Sequence, residues 1–223
     1  MGIYTRWIFP RLIDWTMRSE ETTPYRRALI PRAQGRVLEI GIGSGLNLPF
    51  YMEDVELVIG LDPSPELLRV AARRGEQSRV PLQLLRATAE ALPVKDGSVD
   101  TVVMTWSLCS IPNARQALAE MHRVLSSDGQ LLFVEHGLSP DDGVARWQHR
   151  FDPFWVRISC HLDRPMDALI SEAGFGLTEL QTGYLRTGPK LMTYMYSGRA
   201  TPGTLVTDHH FSGDSSRAAE KGS

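Results

Sequence analysis

Glu39, Gly41, Gly43, Gly45 and Asn47 crowd into nine positions, and Asp62 follows Gly41 by twenty-one. Glycines at this spacing can adopt backbone angles closed to other residues and let a ligand touch the main chain. A carboxylate at the end of the next apolar run, roughly 20 residues past the first glycine, stands where an open α/β sheet grips a ribose diol. The spacing is G-x-G-x-G, whereas dinucleotide sites read G-x-G-x-x-G. Glu39, two positions before Gly41, would sit badly beside a pyrophosphate and suits a ligand with a cationic end. Both features argue against a nicotinamide oxidoreductase. Proton-accepting candidates lie further along: His136 at the close of an apolar run, then Asp152 and His161. Histidine is the residue type that takes a proton near neutrality. Cys109 reads as a small packed residue. Two cysteines cannot by themselves make a disulfide framework or a zinc site, so no metal is expected and a reducing cytoplasm is.

The elements that must position these residues follow from apolar patterning. Residues 37–40 and 57–61 read as strands, and the segment after the glycines has helical character. Its free amides would favour a negatively charged group. Ser64, Pro65 and Glu66 make a helix start. Residues 82–88 read as a third strand, and the nearly continuous apolar run 99–106 as a central strand covered on both faces. Asn113 caps a helix whose Ala114, Ala117, Leu118, Met121 and Leu125 share a face. A fifth strand, 130–134, carries Glu135 and His136 to the rim of the same crevice. Residues 141–164 look irregular, with Trp147, Phe151, Phe154 and Trp155 close together, as in a cap over a substrate side. A helix over 166–173 ends at Gly174, and 177–182 with 191–196 suits an antiparallel pair at the sheet edge.

Composition narrows the classes. A chain of 223 residues supports one domain with a substantial core. The balance of 24 basic against 26 acidic side chains offers no field to gather nucleic acid. Residues 3–30 mix Tyr4, Trp7, Phe9 and Trp15 with charges in an amphipathic pattern. Three roles suit it: a helix on the sheet edge, a lid over the crevice with Tyr4, Trp7 and Tyr25 at the substrate, or a helix on a membrane surface. Arg6, Pro10, Arg11 and Asp14 interrupt the run, so it does not read as a signal peptide. The organisation expected is a helical lid over 1–33, a catalytic domain over 34–200 and a disordered tail over 201–223.

Glu39-Ile40-Gly41-Ile42-Gly43-Ser44-Gly45 resembles the first motif of class I S-adenosylmethionine-dependent methyltransferases, and Leu61-Asp62-Pro63-Ser64 the second. The likeness continues through 89–93, 96–100 and the strand ending at Trp106. It implies an α/β Rossmann-like fold, a seven-stranded mostly parallel sheet with an antiparallel edge strand, and S-adenosyl-L-methionine as cofactor. It further implies that Glu39 orients the cofactor's ammonium end and that Gly41, Gly43, Gly45 and Asn47 form its cradle. Asp62 would take the ribose hydroxyls and Pro63, Ala89 and Glu90 the adenine, with Thr105 and Ser107 at the strand exit. Three narrower stretches, 107–111, 133–136 and 147–155, resemble thiol S-methyltransferases whose mammalian members carry an N-terminal membrane anchor. That likeness implies a small thiol acceptor such as hydrogen sulfide, methanethiol or an alkyl thiol. The alternative is a phospholipid amine or a quinone-type carbon, with peripheral membrane contact through the N-terminal helix.

Overall fold

The computed structural model describes residues 19–157 and 160–203. The amphipathic residues 3–18, including Tyr4 and Trp7, and the tail from 204 onward lie outside the described residues. The sheet has seven strands: β1 Gly35–Ile40, β2 Val55–Leu61, β3 Leu82–Leu85, β4 Val99–Thr105, β5 Leu125–His136, β6 Phe175–Tyr184 and β7 Tyr194–Pro202. Their order is β3-β2-β1-β4-β5-β7-β6. The first five run parallel, while β7 pairs antiparallel with both β5 and β6. The last two strands thus form the expected antiparallel pair at the edge, and the whole is a Rossmann-like mixed sheet. Strand order reverses between β1 and β4, the switch point where ligands of open sheets gather beyond the carboxyl ends.

Among the described residues the helices are α1 Thr23–Leu29, α2 Pro65–Gly75, α3 Ala114–Val124, α4 Asp142–Trp155, α5 Met166–Glu172 and the single turn α6 Lys190–Thr193. Two apolar layers flank the sheet. One joins Leu38, Val102, Met104, Leu131 and Phe133 to Leu118 and Met121 of α3 and Met166 and Ile170 of α5. The other joins Val37, Val58, Val103, Leu132 and Val134 to Leu29, Ile30 and Tyr51. Covered on both faces, the central strands read as apolar runs, and each fully buried aliphatic side chain contributes about 1.5–3 kcal/mol. The caps are the expected ones: Ser64 Oγ accepts from Leu67 N at 3.2 Å, and Asn113 Oδ1 accepts from Gln116 N at 3.1 Å.

Several expectations shift. The glycine turn leads into one 3-10 turn, Leu48–Phe50, and no α-helix: the backbone turns extended at Tyr51. β3 ends at Leu85, and β7 runs through Pro202, so ordered structure reaches past residue 201. The segment expected to be irregular is mostly a helix, α4, whose cap Asp141 accepts from Gly143 N at 2.8 Å and Val144 N at 3.3 Å. Its inner face is polar, Gln148 and Asp152, while Trp147, Phe151 and Phe154 face outward. A helix whose apolar residues do not mark its buried side defeats reading by periodicity.

Candidate active site

β1 delivers Glu39 and then breaks into the glycine loop. Gly41 and Gly43 have φ of 65° and 56°, the left-handed region where a side chain is strained. A Cβ at Gly41 would lie 2.7 Å from Ser107 Cβ, so the loop passes tightly under the exit of β4. A Cβ at Gly43 would meet nothing nearer than 3.9 Å and would project into the open space that a ligand needs. Gly45 serves differently: a Cβ there meets Leu48 at 2.7 Å and the Ala71 backbone at 3.3 Å, so it lets α2 pack against the loop.

The cavity above this loop is walled by Glu39, Gly41, Gly43, Asn47, Thr105 and Trp106, together with Arg26 from α1. Its polar side is a continuous buried network. Arg26 Nε donates to Asn47 Oδ1 at 3.1 Å, and Asn47 Nδ2 donates to Glu39 Oε1 at 2.9 Å and Thr105 Oγ1 at 3.0 Å. Tyr51 OH donates to Glu39 Oε2 at 2.7 Å. Burial outweighs these bonds and raises the Glu39 carboxyl from the ordinary 4.5 to about 7. A cationic ligand end placed against it would draw the carboxyl back to its ionised form. Trp106 takes φ 49°, unusual for a bulky residue, and is gripped by Tyr25 edge-on at 6.2 Å and by the Arg26 guanidinium at 4.7 Å from the ring.

Asp62, at the end of β2, is oriented by two backbone donors, Gly43 N at 3.0 Å and Ser64 N at 2.8 Å. Burial raises its pKa against those bonds. Pro63 beside it is exposed, and Ala89 is buried in the core; Glu90 Oε1 accepts from Asn113 N at 3.4 Å, tying the exit of β3 to the start of α3. Ser107 Oγ is buried with no hydrogen-bond partner, an orphan that a bound ligand would satisfy.

The far side of the crevice is assembled from distant segments. Glu135, fully buried, accepts from Ser107 N at 2.8 Å, Leu108 N at 2.9 Å and Cys109 N at 3.4 Å, and so clasps the turn after β4. His136 Nε2 stands 3.1 Å from Cys160 Sγ. Asp152 Oδ2 bonds His161 Nδ1 at 2.9 Å, while its Oδ1 accepts from Leu162 N at 2.6 Å. The structure therefore brings Asp152 and His161 together as a carboxylate–imidazole pair, while His136 is paired with Cys160, the residue before His161. Trp106, just past β4, lines the cavity, and the aromatic residues expected to cap the substrate side do not. Trp147 and Phe151 stack on each other at 5.5 Å on the outer face of α4, and Trp155 packs on the core.

An acidic group for an ammonium, a carboxylate for a diol, an orphaned hydroxyl and a glycine cradle together fit S-adenosyl-L-methionine. Residues 38–133 match the family described as methyltransferase domain. Thiol S-methyltransferase TMT1B of Rattus norvegicus is 33% identical over 168 residues, 70% of this chain and 68% of that protein. The chain belongs to the class I S-adenosylmethionine-dependent methyltransferases. Another relative of this methyltransferase, the phosphatidylethanolamine N-methyltransferase of Cereibacter sphaeroides, is 34% identical over 79% of this chain and 87% of its own length. Among solved structures, the YcgJ protein of Bacillus subtilis superposes with TM-score 0.58 at 21% identity, covering 81% of this chain and 95% of that one. A SAM-dependent methyltransferase from Methanosarcina mazei gives 0.62 at 20%, covering 77% and 94%. The cofactor of the methyltransferase is S-adenosyl-L-methionine, which supplies an electrophilic methyl group on a sulfonium.

Sequence reasoning missed Arg26 and Tyr51, and it brought Glu135 to the rim of the crevice without finding its bonds to the turn after β4. Arg26 sits in a short helix before the first strand, and no local pattern separates it from the neighbouring Arg27. Glu135 did carry a signal for those bonds: it is an acid closing the buried run 129–135, a position that demands hydrogen-bond partners.

Proposed function

We propose that this methyltransferase transfers the methyl group to a small thiol, giving a thioether and S-adenosylhomocysteine. The observation that carries the reading is that the carboxylates at the strand ends are already engaged. Glu39 holds Asn47 and Tyr51, Asp62 holds two backbone amides, and Glu135 holds three. An ammonium acceptor would need a strong base to free its lone pair. A thiol has lone pairs on sulfur even when protonated and is intrinsically a strong nucleophile, so one proton acceptor beside it suffices. The likeness to thiol S-methyltransferases supports the same choice.

In this reading Glu39 and Arg26 fix the two charged ends of the methionine portion, and Asp62 fixes the ribose. Trp106 walls the approach and keeps water from the reacting carbon, with nucleophile and methyl held near 3–3.5 Å and in line. As the new carbon–sulfur bond forms, the bond to the sulfonium breaks and its electron pair stays on the departing sulfur. The thiol's proton passes to His161, whose Nδ1 is committed to Asp152 and whose Nε2 is the nitrogen able to accept it. The segment before β1 acts as the lid, and the protein works in the cytoplasm.

A second reading is methylation of a phospholipid amine, with peripheral membrane contact. It draws on the phosphatidylethanolamine N-methyltransferase relative and on the outward aromatic face of α4, where Trp147 is 53% and Phe154 69% exposed. Incubation with labelled cofactor and a panel of sulfide, methanethiol, larger thiols, phosphatidylethanolamine and demethylquinones decides between them. Label in a thioether alone is expected. Label confined to the lipid or the quinone would overturn the thiol assignment.

A further inference from the structure

Three soft donors converge where the carboxyl ends of β4 and β5 meet the segment after α4. Cys109 Sγ, His136 Nε2 and Cys160 Sγ all lie within 4.8 Å of one another, the last two 3.1 Å apart. Both cysteines are buried and neither is in a disulfide. We propose that Cys109, His136 and Cys160 bind a soft divalent transition-metal ion of the zinc class. The inference is independent of which acceptor the enzyme methylates.

The geometry is close to what such an ion requires. With Zn–S near 2.3 Å and Zn–N near 2.0–2.1 Å, tetrahedral donors stand roughly 3.6–3.8 Å apart, so these atoms need to move by about an ångström or less. Sulfur and imidazole donors without a carboxylate among them suit zinc and its softer neighbours and reject magnesium and calcium. Three protein donors leave one tetrahedral position for water or a further ligand. Two thiolates and a neutral imidazole balance a divalent charge, and binding releases the two thiol protons to solvent.

The surroundings hold the donors in place. Glu135, next to His136 in the chain, anchors the Cys109 amide; the carbonyl of Cys109 accepts from His161 N at 2.8 Å, and His161 adjoins Cys160. Arg164 Nη1 donates to the Leu108 carbonyl from the same segment. Each donor is thus pinned through backbone bonds to the segment carrying another, the kind of support that orients metal ligands. Cys160 hydrogen-bonds both His136 and Cys109, so the three donors already stand within mutual reach. In this arrangement His136 is a metal ligand, and the proton-accepting role falls to His161.

The test uses the full chain purified under reducing conditions without chelator. Elemental analysis is expected to find about one zinc per chain. After removal of zinc, Co²⁺ titration is expected to saturate near one equivalent, with a thiolate-to-cobalt charge-transfer band in the near ultraviolet and the intense visible bands of a tetrahedral site. Cys109→Ser and Cys160→Ser should each weaken that band and lower Co²⁺ affinity at least about tenfold. Retained S-adenosylmethionine binding will show that these variants fold, since neither cysteine walls the cofactor cavity. Absence of the charge-transfer band in the wild-type protein, an unchanged band in the serine variants, or recovery of Cys109 and Cys160 as a metal-free disulfide would overturn the proposal.

Discussion

The two sides of the crevice are built on opposite plans. On the side that fits the cofactor, Glu39, Gly41, Gly43, Asn47 and Asp62 come from two adjacent parallel strands and the loop between them, so a short stretch of chain makes the floor. On the opposite side, the exit of β4, the end of β5 and the turn after α4 must meet before Glu135, His136, Asp152, Cys160 and His161 have any common neighbourhood. The first side is a motif. The second is an assembly, held by a buried carboxylate clasping backbone amides and a second carboxylate clasping an imidazole and an amide. Damage to the motif should therefore register as lost cofactor affinity, and damage to the assembly as lost stability and lost transfer with cofactor affinity intact.

The largest effect is expected at Gly41→Val. Positive φ and the close approach of Ser107 leave no room for a side chain, and S-adenosylmethionine affinity should fall about 100-fold or more, read by calorimetry, with far-ultraviolet circular dichroism retained. Asp62→Ala comes next. It removes charge-assisted bonds worth about 1.5–3 kcal/mol, so affinity should fall roughly 10- to 100-fold. An unchanged dissociation constant in either variant would break the comparison, because the loop would then not be the cofactor floor.

Glu39 gives a subtler effect, legible in pH. Its folded-state value of about 7 lies above the ordinary 4.5. The protein without cofactor therefore has the full stability contribution of this group below pH 4.5 and loses it as pH rises through about 7. The cofactor's ammonium selects the ionised carboxyl, so binding should tighten roughly fivefold from pH 6 to 7. Calorimetry across that window should show the slope in the wild type and its absence in Glu39→Gln.

The smallest change in cofactor affinity, less than about twofold, is expected for Asp152→Ala, which lies on the assembled side. The same substitution strands Leu162 N and His161 Nδ1 and should cost about 1–3 kcal/mol of stability, seen as a lowered thermal midpoint, together with reduced methyl transfer. A large loss of cofactor affinity here would mean that the two sides are coupled more tightly than their separate bonding suggests.

Legibility followed the same division. The strand, turn and strand around Gly41 and Asp62 were readable because their signals, apolar runs covered on both faces and glycines with positive φ, are set within a few residues. The helix α4 was misread as irregular because its buried positions are Gln148 and Asp152, so hydrophobic periodicity pointed away from the truth. Gly45, which the family resemblance assigns to the cradle, has a packing reason of its own: a Cβ there would meet Leu48 and Ala71.

From the chain alone came the strands β1 and β2 and the glycine turn after β1, since backbone sterics and strand burial act over short distances and leave a local imprint, and the motifs there carried the family resemblance that implied the fold class and the cofactor. Only the tertiary structure decided that Arg26 reaches the floor from before the first strand, that Glu135 is spent on the turn after β4, and that Asp152 meets His161 while His136 meets Cys160. Those pairings are fixed by which strands lie side by side and by the cost of leaving a buried carboxylate or amide without a partner. Neither condition is written in any single window of sequence.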